Sequence, residues 1–392
     1  MKTTSTFLML LLLCSLATAQ KAKSAPQANA DWRTPAEISD YRTTPRYDET
    51  MAYVRRVAAG APQQVRIETF GRTDEGRDLI AVIVSKDGLF DPAALHKANR
   101  PIVLIQNAIH AGEMDGKDSS LALLRDLVVL RTQAALLERA VVIFIPIYNA
   151  DGHERFGPYN RINQKGPEEM GWRTTARNLN LNRDYVKADT VETRALLRLW
   201  NRWLPDFFVD NHVTDGLDHQ YDTTYSLETG PNVFPALAQW QRDALAPYLE
   251  KSVTDSGHRI SPYAEFVDAA DPAKGMYDGE TSPRYSDGYS VLQNRPGMLV
   301  EMHMLKDYKT RVTGNYELMR ALLEVVNRDA VQLTQATRDA DAAQIAAGQN
   351  YDPGAKAALK MTLTDGSQPF LFRGFRARRT LSEVSGAMRT EY

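Results

Sequence analysis

Pro101-Ile-Val-Leu-Ile-Gln-Asn107 is an unbroken apolar run ending in two amides, and Ala140-Val-Val-Ile-Phe-Ile-Pro-Ile147 is a second of the same kind. Runs without polar alternation belong to strands buried on both faces of a mainly parallel sheet. Between them, Lys117 to Thr132 sets Leu121, Leu124, Leu127 and Val128 on one helical face. The three segments form a strand, helix, strand unit, the building block of a parallel sheet. Downstream the alternation continues. A helix is expected over Val191 to Trp203, a strand over Asp206 to Asp210, helical stretches between Val233 and Val253, a strand over Gly297 to Met302, and one long helix from Tyr316 to about Ala347. This order predicts an α/β three-layer sandwich whose mixed, mostly parallel sheet is flanked by helices.

Upstream, Tyr47 to Ala59 has helical spacing. Val65 to Phe70 and Leu79 to Ser85 read as two strands joined by the polar turn from Gly71 to Gly76, a hairpin or an adjacent pair. The first nineteen residues carry one lysine, the apolar run Phe7 to Leu13 and Ala17-Thr-Ala19, the pattern of a secretory signal cleaved after Ala19. That run is far shorter than the roughly 20 residues that cross a bilayer. Residues 20–31 read as a flexible linker and 32–347 as one folded domain. Residues 348–392, with alternation over Met361 to Thr364 and Pro369 to Arg373, read as the start of a C-terminal β-rich appendage that continues past Tyr392.

Charge narrows the function classes. Lys plus Arg number 47 and Asp plus Glu 49, a net of −2 in 392 residues, so no nucleic-acid footprint is expected. With 43% hydrophobic and 24% charged residues the composition is that of a globular protein. The single cysteine, Cys14, falls in the signal, which excludes a disulfide framework and a cysteine zinc cluster. Any metal must therefore be held by histidines and carboxylates. No later segment is apolar enough to span a membrane. The expected product is a monomer exported to a bacterial periplasm or to the medium.

His110-Ala-Gly-Glu113 follows the strand that ends at Asn107. Two ligands three apart on a turn can converge on one zinc ion. Alone the pair decides little, since roughly 0.4 such pairs arise by chance in a chain of this composition. Asp210-Asn-His212 ends a second strand, and a third ligand from there completes a His, Glu, His set with one position open for water. In open α/β sheets, sites form beyond the carboxyl ends of the strands, where both groups lie. Gly297-Met-Leu-Val-Glu301-Met302 puts a carboxylate among apolar neighbours, which makes Glu301 the candidate general base; an ion pair with Lys306 or Arg311 is the structural alternative. Between Trp172 and Tyr185, guanidinium and amide groups crowd together, suited to an oxyanion and a substrate carboxylate.

These motifs, in this order, resemble the zinc metallocarboxypeptidases of the carboxypeptidase A type over about Tyr41 to Ala336. The resemblance rests on His110-Ala-Gly-Glu113, Asn149-Ala-Asp-Gly152, Trp172-Arg173, Leu181-Asn-Arg183, Glu192, Asp210-Asn-His212 and Leu299-Val-Glu301. It implies one zinc ion on His110, Glu113 and His212, Arg173 polarising the scissile carbonyl, Asn182 and Arg183 gripping a terminal carboxylate, and Glu301 as base and then acid. It also implies a tyrosine that caps the substrate. Tyr277, Tyr285 and Tyr289 lie in the right region, with Tyr285 and Tyr289 the leading candidates. Asp278, Glu280 and Asp287 leave open a preference for basic substrates. The family's usual His-Ser pair is replaced here by His212-Val213-Thr214-Asp215. The implied activity is removal of a C-terminal residue from peptides with a free terminal carboxylate. A zinc amidase or deacylase acting on cell-wall fragments or acylated amino acids, and an inactive binding module, remain alternatives. No Gly-x-Ser-x-Gly elbow points to a serine hydrolase.

Overall fold

Every residue of Ile102–Gln106 and Val141–Ile145 is buried, which places these two strands at the centre of the molecule. The computed structural model describes residues 31–392 apart from 215, 264, 269–270, 272–273, 278, 280, 351, 355–361, 363–365, 377 and 392. The signal and almost all of the linker lie outside the described residues, and Arg33–Tyr392 forms one compact unit.

The strands are β1 (Val65–Arg72), β2 (Asp78–Val84), β3 (Ile102–Gln106), β4 (Val141–Ile145), β5 (Phe207–Val213), β6 (Thr223–Leu227), β7 (Ile260–Pro262), β8 (Glu265–Phe266), β9 (Met276–Tyr277), β10 (Gly297–Met302), β11 (Arg378–Leu381) and β12 (Met388–Glu391). Among the described residues eight of them form one sheet in the order β1-β2-β4-β3-β5-β10-β6-β7. Four neighbouring pairs run parallel, β4 with β3, β3 with β5, β5 with β10 and β6 with β7; the other three are antiparallel. The sheet is mixed and mostly parallel, as expected.

The helices are α1 (Pro35–Ile38), α2 (Tyr47–Gly60), α3 (Pro92–Lys97), α4 (Asp115–Val128), α5 (Ala150–Glu154), α6 (Val191–Trp203), α7 (Pro235–Trp240), α8 (Ala246–Asp255), α9 (Ser286–Leu292), α10 (Tyr308–Arg328) and α11 (Ala330–Gln349). Two adjacent residues of β5 show how they make the layers. Successive strand side chains point to opposite faces, so Phe208 meets Trp200 of α6 while Phe207 meets Trp240 of α7. One face carries α6, with Leu196, Leu199 and Trp200 packed on Ile83, Leu104 and Ile143. On the other, α10 packs against α4 and α8.

The structure corrects three expectations. The long helix from Tyr316 is two helices that break at Asp329, where the backbone leaves helical geometry (φ −101°, ψ 18°) and the carboxylate accepts from Trp240 Nε1 at 2.9 Å and pairs with Arg328. The strand expected to stop at Asp210 runs on to Val213, because β10 pairs with it as far as Met302. Pro369 to Arg373 is no strand. It crosses to Gln220, whose N–H donates to Arg373 O at 2.8 Å, and among the described residues of the tail the strands β11 and β12 come later. Apart from Thr362, the strand expected over 361–364 lies outside the described residues.

Candidate metal centre and substrate cavity

The turn that carries His110 and Glu113 begins where β3 ends. Ala108 adopts φ +55°, unusual for a residue with a Cβ, and swings the chain sharply off the strand. Asn149 secures the turn: its Nδ2 donates to Ile109 O at 3.3 Å and to Arg173 O at 3.1 Å, tying the metal turn to the arginine loop. Gly152 allows that loop to pass, since a Cβ there would stand 2.4 Å from Thr174 O and 2.6 Å from Trp172 O.

His212 comes from β5. Its Nδ1 lies 3.1 Å from His110 Nδ1 and 3.0 Å from Glu113 Oε2, and one donor atom from each of the three residues falls within 4.8 Å of the others. All three side chains are buried. Both rings are oriented from behind. His212 Nε2 faces Asp210 Oδ2 at 2.8 Å, and His110 Nε2 faces Asn180 Oδ1 at 3.2 Å. Asp210 is held in turn by Gln106 Nε2 at 2.9 Å. This is the outer support a metal-binding imidazole needs. Two imidazole nitrogens and a carboxylate oxygen, converging from buried side chains with their far sides satisfied, fit a zinc ion.

Charge is balanced inside the triad. Burial works against ionised Glu113, but His110 and Arg161 outweigh it and hold the carboxyl well below its usual range. Burial likewise opposes protonation of His212, yet Asp210 and Glu113 raise it well above an ordinary histidine; His110, less compensated, is lowered by burial.

Above the triad opens a cavity of about 530 Å³ lined by His110, His212, Arg173, Asn182, Arg183, Tyr285 and Glu301 among others. Asn182 and Arg183 sit in a 3₁₀ turn, Leu181–Arg183, started by Asn180 Oδ1, which accepts from Asn182 N at 3.0 Å. Ser286 N–H donates to Asn182 Oδ1 at 2.9 Å, so the amide's NH₂ end turns toward His212. The Arg183 guanidinium lies over the Tyr285 ring, 4.2 Å from its centroid, and among the described residues no carboxylate pairs with it.

Every expected site residue but two lines this cavity. Glu113 lies beneath it in the triad. Tyr289 is not brought to the cavity: its ring packs on Trp200 and Tyr185 in the core. The reason is local, since Tyr285 is the extended cap of α9 whereas Tyr289 is inside the helix. Tyr277 does line the cavity, its hydroxyl donating to Glu265. Asp278 and Glu280 lie outside the described residues. Asp287 is a buried part of the wall, with its carboxyl raised by burial.

Reasoning from sequence missed the supports: Asp210, Gln106, Asn180 and Arg161. One of them was findable. Residues two apart on a strand share a face, so Asp210 stands beside His212 whenever that segment is extended. Gln106 is then its neighbour in the β3–β5 register.

The fold is that of the metallo-carboxypeptidases. It is similar to the metallo-carboxypeptidase of Burkholderia cenocepacia, with a TM-score of 0.52 and 17% identity over 72% of this chain and 69% of that one. Carboxypeptidase A of Helicoverpa armigera gives a TM-score of 0.51 and 18% identity over 77% and 79%. In sequence, residues 50–196 match the zinc carboxypeptidase family. Carboxypeptidase 2 of Trichophyton tonsurans is 27% identical over 252 residues, 61% of this chain and 43% of that protein. The chain thus spans less than half the length of the curated relatives it matches.

Proposed function

We propose that this chain is a zinc-dependent exopeptidase that hydrolyses the C-terminal peptide bond of peptides bearing a free terminal carboxylate. One observation carries the reading: the buried His110, Glu113, His212 triad shares a cavity with Arg183, a guanidinium that has no carboxylate of its own among the described residues. A planar fork on a cavity wall suits the two oxygens of a carboxylate.

Asn182 offers its NH₂ end beside that fork, and together they hold the terminal carboxylate so that the last peptide bond lies against the triad. His110, Glu113 and His212 would hold a single zinc ion, which when bound would supply Lewis acidity to polarise a water and the scissile carbonyl. Arg173 stabilises negative charge on the carbonyl oxygen. Glu301 takes a proton from the attacking water and returns it to the departing amine. Tyr285, whose ring lies under the Arg183 guanidinium, forms a wall of the cavity beside it.

The pattern of residues 1–19 supports export, to the periplasm or medium, with cleavage near Ala19. Among the described residues no helix is long and apolar enough to cross a membrane. We propose that the protein acts as a monomer and that residues 348–392 form a small appendage to the domain 32–347.

The test is zinc content together with hydrolysis of matched peptides that end in a free acid or an amide. The acid should be cleaved at least roughly a hundredfold faster, because an amide cannot offer the Arg183 fork two charged oxygens, and Arg183→Met should erase that difference. Equal rates in the wild type would replace the exopeptidase by an amidase on the same site.

A further inference from the structure

We infer that Arg161, on the loop between α5 and the arginine loop, is a positioning residue that clamps the two ligand-bearing segments of the metal centre together. Its nitrogens go to three places. Nη1 donates to Glu113 Oε1 at 2.7 Å, and Nη2 donates to Val213 O at 3.1 Å, on the residue next to His212. Nε donates to Gln164 Oε1 at 2.7 Å, while Gln164 Nε2 reaches back to Gly112 O at 3.1 Å. One rigid fork therefore braces the spacing between the turn after β3 and the end of β5, where strand pairing stops at Gln106 and Asp210, and it does so from the side opposite the direct bond in which Val213 N–H donates to Glu113 Oε2 at 3.1 Å.

The neighbouring sequence makes room for it. A Cβ on Gly112 would stand 2.8 Å from Arg161 Cδ and 2.7 Å from Gly171 O, so the residue before Glu113 must be glycine for the arginine stem to pass. Arg173 also touches Glu113 Oε1, at 3.2 Å, but the two arginines are not equivalent. The Arg173 side chain is 36% exposed and lines the cavity, whereas that of Arg161 is 11% exposed and lies behind the ligands. Arg173 is placed to move onto a substrate; Arg161 stays and keeps Glu113 aimed when it does.

This inference rests on the zinc reading, and the experiment separates the two. Zinc affinity is measured by chelator competition, and the visible spectrum is recorded for the cobalt(II)-substituted protein, which reports ligand geometry without turnover. For Arg161→Met the zinc dissociation constant should rise roughly 10- to 100-fold, with shifted cobalt bands. Arg173→Met, which removes only the longer 3.2 Å contact to Glu113, should change both far less. If Arg161→Met does not fold, Arg161→Lys decides: one ammonium cannot span both acceptors, so affinity should fall by roughly tenfold. Wild-type affinity and an unshifted cobalt spectrum in the folded variant overturn the clamp. A wild-type protein that holds no zinc overturns the proposed function instead.

Discussion

Glu301 lies directly across the parallel ladder from His212, in register with it on the neighbouring strand. Adjacent strands run about 4.8 Å apart, so the distance between the proposed base and a metal ligand is set by sheet hydrogen bonds rather than by a loop. On the other side Glu301 faces Thr224, whose hydroxyl donates to Glu301 O at 3.0 Å and pins the backbone there.

Glu301 lines the cavity but is not one of the three metal donors. Glu301→Gln should therefore lower kcat by roughly 10²- to 10⁴-fold, the usual contribution of a general base, while zinc content stays at the wild-type level. Steady-state kinetics with metal analysis on the same preparation checks both. Retained turnover removes Glu301 from the mechanism.

Asp210 acts on zinc only through His212. Asp210→Asn keeps the shape but loses the charge that orients the imidazole, and zinc affinity should fall by roughly 10- to 100-fold. Chelator competition measures it; an unchanged dissociation constant means that β5 alone orients the ring.

Glu192, in the first turn of α6, is 1% exposed, and neither of its carboxylate oxygens has a hydrogen-bond partner among the described residues. Burial, helped by Asp74 and Asp151 nearby, pushes its carboxyl up to about 7. The unfolded chain releases this proton near pH 4.3 and the folded one only near 7, so the folded state holds the extra proton between them. Stability is thus fully present below about pH 4.3 and is lost as pH rises through 7, by up to roughly 3 kcal/mol. Urea unfolding at pH 5 and pH 8 should show this loss in the wild type and a much smaller one in Glu192→Gln. Parallel pH dependences in the two proteins would refute it.

Tyr289 and Tyr285 should separate cleanly. Tyr289→Ala opens the core between Trp200 and Tyr185 and should destabilise the fold by roughly 3–5 kcal/mol, whereas Tyr289→Phe should leave KM unchanged. Tyr285→Ala releases the Arg183 guanidinium, a contact of about 0.5–1 kcal/mol, so KM should rise roughly two- to fivefold. Denaturant curves and peptide kinetics on the three variants decide the matter.

Much of the fold is legible in the order of residues. The central strands stand out because burial on both faces leaves no room for polar alternation, and β10 and α6 fall where periodicity puts them. The site's reactive groups are legible because zinc chemistry needs few residue types, and those types stand at strand ends. Weaker signals fail. β7 is only three residues long, too short to carry a pattern, and the break at Asp329 depends on Trp240, 89 residues away along the chain, which no local window sees.

The layered α/β fold and the residues whose chemistry matters follow from periodicity and functional groups read along one segment at a time, so the linear chain is enough to specify them. Three further relationships exist only once the chain is folded: Tyr285 rather than Tyr289 meets the cavity, β5 carries His212 inside the sheet opposite Glu301, and Arg161 stands behind the metal ligands. Each joins segments far apart in the chain or turns on local direction. They depend on register, on the way a side chain leaves its helix, and on the space a missing Cβ leaves open.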